Sequence, residues 1–104
     1  MKINVLGTEY KVCTVSANCL PVNDGVCCIY EKKINVRLPA EMLEKETPEE
    51  AKLDRYREVL RHEIIHAFLF ESGLDDLGSN EELVDWIAKQ FPKMTKAFEE
   101  AGCM

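Results

Sequence analysis

The chain has 104 residues, 46% hydrophobic and 31% charged, which is material for one domain spanning 1–104 with a single modest core. Its formal charge is −6, and the acidic residues gather at Glu41, Glu44, Glu46, Glu49 and Glu50 and again at Asp75, Asp76, Glu81 and Glu82; with no basic stripe to meet phosphates, no nucleic-acid partner is expected. The run from Met1 to Gly7 lacks a signal-peptide apolar core and no stretch approaches the roughly 18 apolar residues of a bilayer span, so the expectation is a cytoplasmic protein without membrane association, a monomer or weak homo-oligomer.

The first forty residues read as strands. Lys2 to Leu6 and Glu9 to Ser16, joined by a turn at Gly7-Thr8, predict a hairpin, the second run being rich in β-formers such as Tyr10, Val12, Thr14 and Val15. Pro21-Val22-Asn23-Asp24-Gly25 breaks the chain, and Val26 to Tyr30 predicts a third strand. Ile34-Asn35-Val36-Arg37-Leu38 then alternates apolar and polar up to Pro39, the pattern of a half-buried strand suited to a sheet edge.

After a charged connector, Thr47-Pro48-Glu49-Glu50 predicts a helix start, with Thr47 as cap, Pro48 at the first position and Glu50 completing a capping box. That helix is expected to end near Glu71 or Ser72 with Gly73 as its stop, and from Val59 to Phe70 its apolar residues nearly surround the cylinder. A loop from Leu74 to Gly78 precedes a second helix, Glu81 to about Gln90, whose expected capping box is Ser79 with Glu82. Phe91-Pro92 is expected to interrupt it before a short last helix carrying Met94, Phe98 and Ala101. The fold class that follows is α+β: a three- to four-stranded sheet on one long helix, then two shorter helices.

The chemistry concentrates in Arg61-His62-Glu63-Ile64-Ile65-His66, which holds both histidines of the chain. At 3.6 residues per turn His62 and His66 share a helix face and can offer two imidazole nitrogens to one ion, the H-E-x-x-H zinc pattern. A catalytic zinc needs a third protein ligand and an open position. The extension that places a histidine six residues further on is absent, because Leu69 and Ser72 stand there. Asn80-Glu81-Glu82-Leu83-Val84-Asp85 supplies the alternative: Glu81 can ligate, while Asp85, one turn on in an apolar stretch, needs a donor and finds one in the ring N–H of His62 or His66.

His62-Glu63-Ile64-Ile65-His66 followed by Asn80-Glu81-Glu82-Leu83-Val84-Asp85 resembles the gluzincin zinc metallopeptidases, whose H-E-x-x-H helix is followed by an N-E-x-x-x-D helix. In size the chain is similar to the single-domain minigluzincins and to short phage and bacterial zinc-peptidase-like proteins. The resemblance covers about residues 25 to 90. It implies Zn2+ held by His62, His66 and Glu81, Glu63 as catalytic base, Asp85 as supporting carboxylate, and a peptide or protein substrate laid along Ile34, Asn35, Val36, Arg37 and Leu38. Larger members add a downstream histidine or tyrosine to stabilise the oxyanion, yet neither residue type follows His66 here.

Three readings follow: a zinc-dependent peptide or amide hydrolase, a zinc-bearing regulatory or interaction module with weak or no turnover, and a structural domain whose histidines satisfy core hydrogen bonds. The five cysteines, Cys13, Cys19, Cys27, Cys28 and Cys103, include no C-x-x-C pair and suggest no disulfide framework. Adjacent Cys27 and Cys28 point to opposite faces of a strand, which disfavours a second metal site with Cys19.

Overall fold

The computed structural model describes residues 1–104. Four strands, β1 (Lys2–Val5), β2 (Thr8–Val15), β3 (Gly25–Cys28) and β4 (Lys33–Arg37), precede three helices, α1 (Glu49–Glu71), α2 (Asp75–Gly78) and α3 (Glu81–Glu100). The α+β class is as expected. The sheet order is β1-β2-β4-β3: β1 and β2 form the antiparallel hairpin, β4 runs parallel to β2, and β3 pairs antiparallel with β4.

This order corrects one reading. Ile34, Asn35, Val36 and Arg37 belong to β4, which is paired on both sides, and Leu38 lies just beyond it, so this segment is not the open edge. The edge on that side is β3. Alternation in β4 correctly marks one buried face, with Ile34 and Val36 fully buried, but a side-chain period of two carries no information about which strands flank the backbone.

The buried face packs against α1. Val5, Tyr10, Val12, Ile34, Val36 and Met42 meet Val59 and Ala67 there, a core of mainly β-branched and small residues. At one end the Tyr10 hydroxyl donates to Glu71 at 2.7 Å and Lys32 Nζ donates to the same carboxylate at 2.9 Å, so the end of α1 is tied to the sheet. Lys32 chiefly, with Tyr10, holds the Glu71 carboxyl below the usual carboxylate range. At the other end Asp24 bridges Arg37 of β4 (3.1 Å) and Arg55 of α1 (3.0 Å), which fixes the start of β3 against the helix.

Helix boundaries differ in four places from the expectation. Pro48 is the residue before α1, extended at φ −56° and ψ 146°, and no side chain caps the helix, so the Thr47–Glu50 capping box does not form. Glu49 and Glu50 instead sit in the first turn, where negative charge complements the helix dipole. Asn80, not Ser79, caps α3, its side chain accepting from the Leu83 N–H at 3.0 Å. Finally, α3 runs unbroken through Pro92, and the expected loop from Leu74 to Gly78 contains the short turn α2. Gly73 ends α1 as expected, at φ +76°, a left-handed conformation that suits glycine.

Asn80→Ala removes the cap acceptor and is expected to cost about 1 kcal/mol in chemical denaturation of the metal-free protein. Ser79→Ala is expected to leave the midpoint unchanged, and the reverse ranking would return the cap to Ser79.

Candidate metal centre

Two helices build the site. His62 and His66 lie one turn apart on α1, and Glu81 is the first residue of α3, after the bend through Gly73 and α2 has brought the chain back alongside α1. His62 Nε2 and His66 Nε2 stand 3.1 Å apart, Glu81 Oε2 lies 2.9 Å from His62 Nε2, and Glu81 Oε1 lies 3.1 Å from His66 Nε2. These three are the one group of histidine, cysteine and acidic residues whose ligand atoms converge, all within 4.8 Å. No cysteine joins a second such group.

The outer ring nitrogens set the tautomers. His66 Nδ1 lies 2.7 Å from the Gly78 carbonyl, which only accepts, so that Nδ1 carries the proton and donates it; His62 Nδ1 makes an ion-pair contact with Asp85 Oδ1 at 3.3 Å, and the carboxylate charge favours the proton on that nitrogen. In the neutral rings both Nε2 atoms then present lone pairs to one another and to the Glu81 carboxylate. Three acceptors face one point with no hydrogen between them. Such a cluster is repulsive by itself and is satisfied by a cation at its centre, or by charging both rings.

The spacing fits the first solution. Tetrahedral zinc with bonds of 2.0–2.1 Å separates its ligand atoms by about 3.3 Å, only slightly more than the distances here. The Glu81 side chain is 69% exposed, whereas those of His62 and His66 are 17% and 10% exposed, so the ring side is walled and the carboxylate side opens to solvent. The donor set and its open side suit a divalent ion held by three protein ligands.

Further contacts orient the two histidines. Asp85 stands one turn along α3 from Glu81 and sets the His62 ring; Lys89, at 3.1 Å, and His62 hold its carboxyl below the ordinary carboxylate range. His66 is oriented by a backbone carbonyl, a partner that residue patterns did not point to. Gly78 is buried where a Cβ would lie 3.2 Å from the Phe70 ring, and Phe70 stacks on His66 with centroids 6.2 Å apart. Glycine therefore lets the carbonyl reach the ring.

Glu63 is rotated about 100° from His62 around α1, toward the sheet. It is 7% exposed, has no hydrogen-bond or ion-pair partner within the chain, and borders the cleft with His62 and His66. Burial pushes its carboxyl up to about 7, with the His66 ring opposing that shift and Glu81 adding to it. Beside it Gly25 opens β3: a Cβ there would lie 2.7 Å from Val59 Cγ1 and 3.3 Å from Glu63 Oε2. The edge strand thus approaches the acid more closely than any side chain would allow.

The cleft measures about 740 Å³ and runs between α1 and β3, with Asp24, Arg55 and Glu58 at one end and Gly78, Ser79 and Asp85 at the other. Asp24 O accepts from Arg37 N at 2.8 Å, which makes that pair hydrogen-bonded in the antiparallel ladder. Alternation then turns the N–H and C=O groups of Gly25 and Cys27 away from β4 and toward the open side. Gly25, which in the sequence belongs to a chain break, thus opens the strand that forms the free edge, one strand away from Ile34 to Leu38. The structure brings His62, His66, Glu81, Asp85 and Glu63 together and leaves Ile34 to Leu38 within the sheet.

Compared with known proteins, the chain matches no family model, no curated protein and no solved structure.

Gly25→Ala is expected to destabilise the fold by about 1–3 kcal/mol through overpacking against Val59 and Glu63. In a Val59→Ala background the added cost should shrink, which a double-mutant denaturation cycle measures; an unchanged cost would mean that the close approach is not what limits this position.

Proposed function

We propose that this protein is a zinc-dependent hydrolase of peptide or amide bonds, of gluzincin type, with His62, His66 and Glu81 as ligands and Glu63 as general base. The observation that carries the reading is the pairing of two features in one cleft: three lone-pair donors aimed at a common point, and a buried carboxylate beside them with no partner in the chain. Zinc held there supplies a Lewis acid for a carbonyl oxygen and lowers the pKa of its water toward neutrality.

The chain's own residues supply the remainder. Glu63, buried beside the site with no partner in the chain, takes a proton from the attacking water and passes it to the leaving amine. Asp85 and the Gly78 carbonyl keep the two rings in the tautomer that leaves Nε2 free. The backbone groups of Gly25 and Cys27 offer an extended peptide a strand to pair with, which gives main-chain recognition with little demand on side chains. The substrate edge in this reading is β3.

One observation favours a second reading, a metal-binding module with little turnover. Arg55 is the cation that lines the cleft, but its guanidinium is engaged by Asp24 and Glu58 at 3.0–3.1 Å, and no histidine or tyrosine follows His66. A transition-state oxyanion is left without a free cationic, histidine or tyrosine donor, and loss of one oxyanion donor costs on the order of a hundredfold to a thousandfold in rate.

Metal analysis with turnover assays on a mixed peptide library separates the readings. The wild-type protein is expected to carry one zinc per chain, His62→Ala and Glu81→Ala to lose it, and Glu63→Gln to keep it while losing at least about a hundredfold in cleavage rate. Cleavage by Glu63→Gln at the wild-type rate would remove Glu63 from the chemistry. Zinc without cleavage in the wild type would favour the binding module.

A further inference from the structure

Pro92 lies inside α3 without ending it. Proline has no N–H, so the carbonyl four residues earlier, that of Ala88, loses its usual helical donor. Arg61 fills the vacancy from the neighbouring helix, its Nε donating to Ala88 O at 2.7 Å in a partly buried setting. A break in one helix has become a bond between two. Ala88 and Val84 are fully buried on the face of α3 that carries this contact, small residues that let the backbones come close.

The placement matters because of what stands next to each partner. Arg61 precedes His62, and Ala88 follows Asp85 by one turn and Glu81 by two. Along α1 and α3 the contacts form consecutive rungs: Glu81 on His62 and His66, Asp85 on His62, Ala88 O on Arg61. Glu81 lies about 10 Å along the axis from Ala88, so a tilt of about 6° there moves the carboxylate by about 1 Å, several times the roughly 0.2 Å tolerance of a metal–ligand distance. We propose that Arg61 and Pro92 form a positioning strut that sets α3 against α1 and holds Glu81 and Asp85 in register with the two histidines. The guanidinium suits this task because its Nε–H lies in a rigid plane close to the side-chain stem, which fixes the direction of the bond as well as its length.

The proposal rests on the metal-centre reading, and its test uses the full chain and readouts other than turnover. Zinc affinity is measured by competition with a chromophoric chelator, and stability by the Tm of the metal-free protein. Arg61→Met orphans the Ala88 carbonyl and is expected to lower Tm and to weaken zinc binding roughly tenfold. Adding Pro92→Ala restores an intrahelical N–H for that carbonyl, so the double variant should recover Tm while its zinc affinity stays weak, the link between the helices being gone. Arg61→Lys, which keeps a donor without the rigid plane, should show a smaller loss of affinity and serves if Arg61→Met does not fold. Unchanged affinity in both Arg61 variants, or affinity that recovers together with Tm in the double variant, would overturn the strut and leave Arg61 a merely structural residue. If the wild-type protein binds no zinc, the metal reading fails by itself, and the strut is judged by hydrogen exchange in metal-free protein: α3 amides around Asp85 should exchange faster in Arg61→Met and stay fast in the double variant, and unchanged exchange would overturn it.

Discussion

Two imidazole nitrogens and one carboxylate converging from two helices is the constraint around which the rest of the molecule is arranged. Each partner contact narrows the alternatives: the Gly78 carbonyl claims the outer ring hydrogen of His66, the Asp85 carboxylate stands beside that of His62, and the inner nitrogens of both rings face Glu81. A fold of this size has a small hydrophobic reserve, with 13 of its 104 residues buried, and two of those are Glu63 and His66. Placing titratable groups in so small a core costs stability, and a bound cation would return much of it through mass action.

The architecture serves that convergence by fixing both ends of α1. Glu71 joins the helix to Tyr10 and Lys32, Arg55 joins it to Asp24, and between these anchors the histidines and Glu63 occupy a stretch with β3 on one side and α3 on the other. Glycine appears where backbone itself must come close: Gly25 against Glu63, and Gly78 beneath Phe70. Both glycines line the cleft, so main-chain groups form part of its wall.

Much of this was legible in the residues, for local reasons. The hairpin, the span of α1 and its glycine stop follow from periodicity and turn chemistry, and the spacing of His62, His66, Glu81 and Asp85 follows from the helical turn. What was not legible depended on partners distant in the chain. The edge identity of β3 arises from the parallel pairing of β2 with β4, which no alternation within Ile34 to Leu38 encodes. Pro92 reads as a break because proline lacks a donor, yet α3 continues, and Arg61, thirty-one positions earlier, donates to the carbonyl that proline leaves free. The caps moved for a smaller reason: at each helix start a neighbouring residue, Pro48 or Asn80, holds the extended conformation that precedes the first turn.

X-ray absorption at the zinc K-edge tests the central claim most directly, because it reads the ligands from the metal outward. The zinc-loaded protein should show a four-coordinate first shell of nitrogen and oxygen at about 2.0 Å with the outer-shell scattering of two imidazoles, and no sulfur. A shell containing thiolate sulfur, or lacking imidazole scattering, would contradict a centre built from His62, His66 and Glu81.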